Sequence, residues 1–111
     1  MVIKKTSTVH EAVHALKQEL EFRAEARRNR LLAAWAAERF GLDGDAVDAY
    51  VKEVIASDLE EPGDADVVRK VLADFADNGL DMDEAALKEQ MEAMMEEARA
   101  QVLAEEEAKA D

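Results

Sequence analysis

The first forty residues contain neither glycine nor proline. The four glycines and the single proline all come later, at Gly41, Gly44, Pro62, Gly63 and Gly79. Proline inside a helix costs a hydrogen bond and a clash, and glycine supplies the left-handed cap that ends many helices. Their absence leaves one long helix with nothing to stop it. Thr8 and Glu11 fit a capping box at its start, and Gly41, followed by Leu42, suits its C-terminal cap. From Thr8 to Phe40 such a helix spans about 50 Å at 1.5 Å per residue.

The rest of the chain divides into shorter pieces. Asp43 is placed to cap a second helix running to about Leu59, with Val47, Tyr50, Val51, Val54 and Ile55 on one face. Glu60-Glu61-Pro62-Gly63 reads as a turn. Asp64 is placed to cap a third helix carrying Val67, Val68, Val71, Leu72 and Phe75, ended by Asn78-Gly79. Asp83 begins a fourth, with Leu87, Met91, Met94, Met95, Ala98 and Val102, the methionines at core spacing. Strong helix formers dominate and β-branched residues never alternate, so the fold class is all-α: a four-helix bundle with a long N-terminal helix or helical arm.

The second and third helices reach only about 20–25 Å, too short to cover the first. Its front half must break, fold back on the bundle, or project. Val9, Val13, Leu16 and Leu20 follow the 4-3-4 spacing of a helix-packing seam. The stripe then meets Arg23, Arg27, Arg28 and Arg30 and resumes at Leu31, Leu32, Trp35 and Phe40. Residues 1–21 therefore read as an arm, 22–104 as the bundle, and 105–111 as a frayed acidic tail. Arg23 is expected to pair along its own helix with Glu19, Glu21 and Glu25.

The formal net charge is −13. Residues 1–40 hold eight Lys/Arg against five Asp/Glu, and residues 41–111 hold six against 22, so the acidity belongs to the later helices. That body would be repelled by nucleic acid and by anionic lipid. No apolar run approaches the roughly 20 residues of a membrane helix. The absence of cysteine and of a signal-peptide core leads to the expectation of a soluble, cytoplasmic protein.

His10-Glu11-Ala12-Val13-His14 matches the H-E-x-x-H pattern of zinc proteases, in which two histidines bind the metal and the glutamate is the base. The chain has no third histidine and no strand to hold a substrate. The pair is read as solvated or partner-facing, with capture of a soft divalent ion as the alternative. Asp43-Gly44-Asp45-Ala46-Val47-Asp48 lacks the oxygen ligand and glycine of a calcium loop. No metal centre, no required cofactor and no nucleophile–base constellation emerge, so a non-catalytic protein is expected. Arg27, Arg28 and Arg30 could grip a phosphate, with Trp35 to stack on a base.

The string FRAEARRNRLLAAWAAERFGL from Phe22, with DAYVKEV, DLEEPGDADVVRKVLAD and the Met-rich last helix, resembles the zeta subunit of alphaproteobacterial F-type ATP synthases. The resemblance runs from about Phe22 to Val102. It implies a four-helix fold and an inhibitor of ATP hydrolysis bound to the catalytic head, held through it at the inner face of the inner membrane. It also implies an N-terminal segment that enters a catalytic interface, here Val9, His10, Val13, His14, Leu16, Lys17 and Leu20. A regulatory ADP or ATP site on the bundle is implied too, with Arg27, Arg28, Arg30 and Trp35 the nearest candidates. The family's inhibitory segment carries aromatics and ends in a motif like F-A-H-D. Here His10 and His14 stand about where the aromatics fall, and Lys17 where the aspartate does. The alternative expectation is therefore an adenine-nucleotide-binding module whose arm is docked and weakly or non-inhibitory.

Overall fold

A computed structural model describes residues 2–59, 61 and 63–110, with side chains from Val9 to Lys109. Four helices follow in order: α1 (Val2–Arg39), α2 (Asp45–Asp58), α3 (Ala65–Asp77) and α4 (Glu84–Ala110). The described residues contain no strand. α1 packs on α4 and α2, α2 on α3, and α3 on α4, which closes a ring of four. The short loops place successive helices antiparallel.

Local chemistry accounts for the boundaries. At the end of α1, Gly41 takes a φ of 75°, its N–H reaches the Glu38 carbonyl at 3.1 Å, and the Leu42 N–H reaches the Ala37 carbonyl at 2.9 Å. These are the two bonds of a Schellman motif. Gly79 repeats it: φ is 69°, with Gly79 N–H to Ala76 and Leu80 N–H to Phe75. Asp83 Oδ1 accepts the Ala85 N–H at the head of α4, as a capping aspartate should.

Other caps differ from expectation. α1 begins at Val2, so Thr8 lies inside the helix and is not its cap. Gly44, not Asp43, holds the cap position of α2. Asp64 stands at the cap of α3 but makes no capping bond there, because its carboxylate is taken by Arg28.

The core gathers Leu32, Ala33, Ala36 and Ala37 of α1 with Tyr50, Val54, Val67, Val68, Val71, Phe75, Leu87, Met91 and Met94. Small residues on α1 let α2 and α4 approach its backbone. Phe75 sits between Trp35, at 5.7 Å between ring centroids, and Phe40, at 4.9 Å. A second, smaller cluster joins α1 to α4 alone: Ala24, Ala98 and Val102, flanked by Leu20, Leu31 and Met95.

Beyond that cluster α1 leaves the bundle. Every residue from Val9 to Lys17, and on to Glu19, is exposed, and Leu20 is the first to be partly covered. A 38-residue helix is about 57 Å long, which accounts for a molecule measuring 63 × 29 × 21 Å. The radius of gyration, 17.4 Å, exceeds the about 13 Å of a compact chain this size. The helix neither breaks nor folds back on the bundle.

The other end of the chain also departs from expectation. Helix α4 continues to Ala110 where a frayed tail was expected. Glu105 and Glu106 lie within 3.5 Å of Arg23 and Arg27, and these cross-helix pairs hold the last turns against α1. Arg23 thus pairs across to α4 rather than along its own helix.

Candidate functional site

A surface helix normally buries one apolar face. The arm has such a face, and from Val9 to Leu16 it lies exposed. Val9, Val13 and Leu16 are 61 %, 47 % and 44 % exposed, although their spacing aligns them with the half-buried Leu20. His10, His14 and Lys17 are exposed as well, on the flank of the same helix. The residues expected to bind a partner are therefore gathered on one projecting rod.

At the root of the rod an ion pair crosses from α4 to α1. Arg99 of α4 forks onto Glu21, its Nη2 and Nε donating to the two carboxylate oxygens at 2.6 and 3.1 Å. That hydrogen bond holds the Glu21 carboxyl below its usual range, against a smaller contrary push from burial. A shallow, mostly apolar groove of about 320 Å³ lies alongside, lined by Lys17, Leu20, Glu21, Arg99, Val102 and Leu103.

The arginine cluster is dispersed, not assembled. Arg27 pairs with Glu105 at 2.7 Å, and Arg30 is exposed on another side of α1. Trp35 is packed on Phe75, and the Arg39 guanidinium lies 4.1 Å from its ring centre. Arg28 points inward. It is 3 % exposed, its Nη2 donates to Asp64 at 2.9 Å, and its Nε donates to the Asn29 side-chain oxygen at 3.0 Å. Asn29 in turn donates to Asp58 at 2.8 Å. Oxygens of Glu25, Asp58 and Asp64 lie within 4.8 Å of one another. Burial first, then the charge of Asp58, raises the Glu25 carboxyl above its ordinary range, although Arg28 pulls it down.

Sequence reasoning missed this cluster. The signal was present on one side only: Ala24, Arg28 and Leu32 form a single i, i+4, i+8 row, so Arg28 occupies a core row where a charge must find partners. Nothing in the spacing named Asp58 and Asp64 as those partners.

A larger groove of about 520 Å³ opens beside the cluster between α1, α3 and α4. Arg28, Lys88 and Arg99 supply its cations, Met91 and Met95 its apolar floor, and Asp64 and Glu92 its acids. Of the four candidate nucleotide residues only Arg28 lines it. Among the described residues no helix is long and apolar enough to cross a membrane.

The chain is similar to known proteins in sequence and in fold. A family model described as ATPase inhibitor subunit zeta matches residues 1–101. Three solved chains match, and one, described as a solution NMR structure, is 43 % identical with a TM-score of 0.67. The shared region covers 78 % of this chain and 98 % of that one. No curated protein matches.

Proposed function

The chain belongs to the ATPase inhibitor subunit zeta family, and on that premise we propose that it is a non-catalytic regulatory subunit of an F-type ATP synthase. The bundle docks on the catalytic head, at the inner face of the membrane that carries the enzyme. The arm inserts at a catalytic interface and blocks ATP hydrolysis. The observation that supports this reading is the exposed stripe of Val9, Val13 and Leu16 on a helix rooted in the core. Such a face is stable in water only at a cost, and a partner groove relieves it. With His10, His14 and Lys17 on its flank, the arm grips through aliphatic contacts rather than aromatic anchors.

The test is ATP hydrolysis by the cognate catalytic head, with full-length protein and with a chain starting at Phe22. Full-length protein should inhibit, and the shortened chain should bind without inhibiting. Equal inhibition by both would remove the arm from the mechanism.

A second reading, an adenine nucleotide bound to the bundle, is favoured by the groove of about 520 Å³, a volume within the usual range for small-molecule pockets. The phosphates would meet Arg28, Lys88 and Arg99, and the base would lie on Met91 and Met95. Each cation already faces a carboxylate, Asp64, Glu84 and Glu21 respectively, which the phosphates must displace. Amide shifts on adding ADP or ATP should cluster at these residues, and shifts confined elsewhere would reject the groove.

A further inference from the structure

His10 and His14 are left over from the function proposed above. Their pattern fails as a protease centre, but the structure gives the pair what a simpler site needs. Both histidines lie on α1, one turn apart, and both are exposed. Residues at i and i+4 hold their Cβ atoms about 5–6 Å apart. Two imidazoles can close on one ion from that separation, each nitrogen about 2.0–2.1 Å from a zinc-class metal.

The placement leaves the stripe free. His10 follows Val9 and His14 follows Val13, so each sits about 100° round the helix from its stripe neighbour. Gln18 continues the histidine row by one turn, and Glu11 lies on the adjoining strip, placed to bond a metal-held water. The other cluster of ligand-type side chains, Glu25, Asp58 and Asp64, is a poor rival, because Asp64 already pairs with Arg28 and Asp58 already accepts from Asn29.

We propose that His10 and His14 form a two-imidazole chelate for a divalent transition-metal ion of the zinc class, and that the ion staples the arm. Residues 9–19 are exposed along their whole length, so their helix is sustained chiefly by propagation from the core, a step close to neutral in water. An ion bridging successive turns binds the helical form alone and draws the arm toward it. The ion also adds two positive charges to the flank of the rod, where like charges on a partner would repel it. Only the effect on inhibition rests on the function proposed above.

The experiment is a titration of zinc chloride into metal-free full-length protein, followed by calorimetry, histidine ring signals and circular dichroism. The expected result is saturable binding of one ion per chain in the micromolar range, with a gain in helix content. His10→Gln and His14→Gln should each weaken binding by more than the about tenfold that losing a second-shell partner can cost. Both should also abolish the helix gain, whereas Glu11→Gln keeps it. Binding that survives both histidine substitutions, an ion shared between two chains, or no saturation would overturn the proposal. Zinc binding by a protein that fails to inhibit hydrolysis would reject the proposed function and leave the site standing. Inhibition without zinc binding would do the reverse.

Discussion

Replacing Arg28 by methionine removes the cation paired with Asp64 from a group of three carboxylates and keeps an apolar stem in the space. At a separation of 4.8 Å, two unit charges at an effective dielectric of about 20 repel by about 3.5 kcal/mol. Water softens this, because the Asp64 side chain is 47 % exposed. Removing one partner of a fully buried ion pair typically costs about 3–5 kcal/mol. Discounted for the exposure of Asp64, the loss should be about 2–3 kcal/mol at pH 7, a large share of the roughly 5–15 kcal/mol that holds a domain together. In urea this lowers the midpoint by about 1–2 M. The pH dependence has a definite sign. The Glu25 carboxyl is raised in the folded protein, so the fold binds that proton more readily than the unfolded chain does. Charged Glu25 therefore costs stability above its raised pKa, and the cost fades as pH falls toward the ordinary carboxylate range. The Arg28→Met penalty should shrink on going from pH 7 to pH 5, and adding Glu25→Gln should recover much of it at pH 7. A penalty that is equal at both pH values and untouched by Glu25→Gln would show that Arg28 acts through packing alone.

Two further substitutions test the core. Phe75→Ala empties the space between Trp35 and Phe40 and should cost about 3–5 kcal/mol in chemical denaturation, with loss of the near-ultraviolet signal of Trp35. The Tyr50 hydroxyl donates to Asp74 at 2.8 Å, and Lys70 lies 3.0 Å from the same carboxylate, so Tyr50→Phe should cost only about 0.5–1.5 kcal/mol. Burial first, then the Asp74 bond, pushes the Tyr50 pKa far up. In a spectrophotometric titration phenolate should therefore appear only as the protein unfolds, and stability should fall once pH passes the about 10 at which the unfolded chain ionises.

How much of this was legible depended on whether the deciding contact was local. The two Schellman ends at Gly41 and Gly79 were readable because a glycine and its neighbours carry the whole motif. The core rows of α1, α3 and α4 were readable from periodicity, since burial follows the 3.6-residue repeat. The start of α1 was misplaced because a capping box is also an ordinary stretch of helix when the helix runs through it. Cross-helix ion pairs were not legible at all. Arg23 had acidic neighbours on its own helix and chose Glu106 instead, 83 positions away. A long side chain with several carboxylates in reach is decided by packing, which spacing does not encode. The candidate phosphate grip failed to assemble for the same reason: four residues close in sequence point to four different surroundings once the helix turns.

The placement of the arm follows from the same distinction between local and distant contacts. An isolated helix of this length would be unstable chiefly because its first turn must form before any bond rewards it. In α1 that turn is already made, since Ala24, Leu32, Ala33, Ala36 and Ala37 are locked in the core. The arm extends an existing helix, so each further residue needs only the propagation step, which for good helix formers is close to neutral. It follows that order should decline gradually from Leu20 toward the N-terminus, not end at a hinge. Amide exchange should show protection falling residue by residue across 9–19, with no sharp step at Phe22. Such an arm meets its partner in a nearly formed helix, so little ordering entropy opposes binding. This is how a stripe of three small aliphatic side chains and a half-buried leucine can serve where larger anchors are absent. A glycine placed at Ala12 or Ala15, costing about 1 kcal/mol of helix each, should weaken inhibition without touching a single contact residue. If inhibition were unchanged in both variants, the preformed helix would have no part in binding.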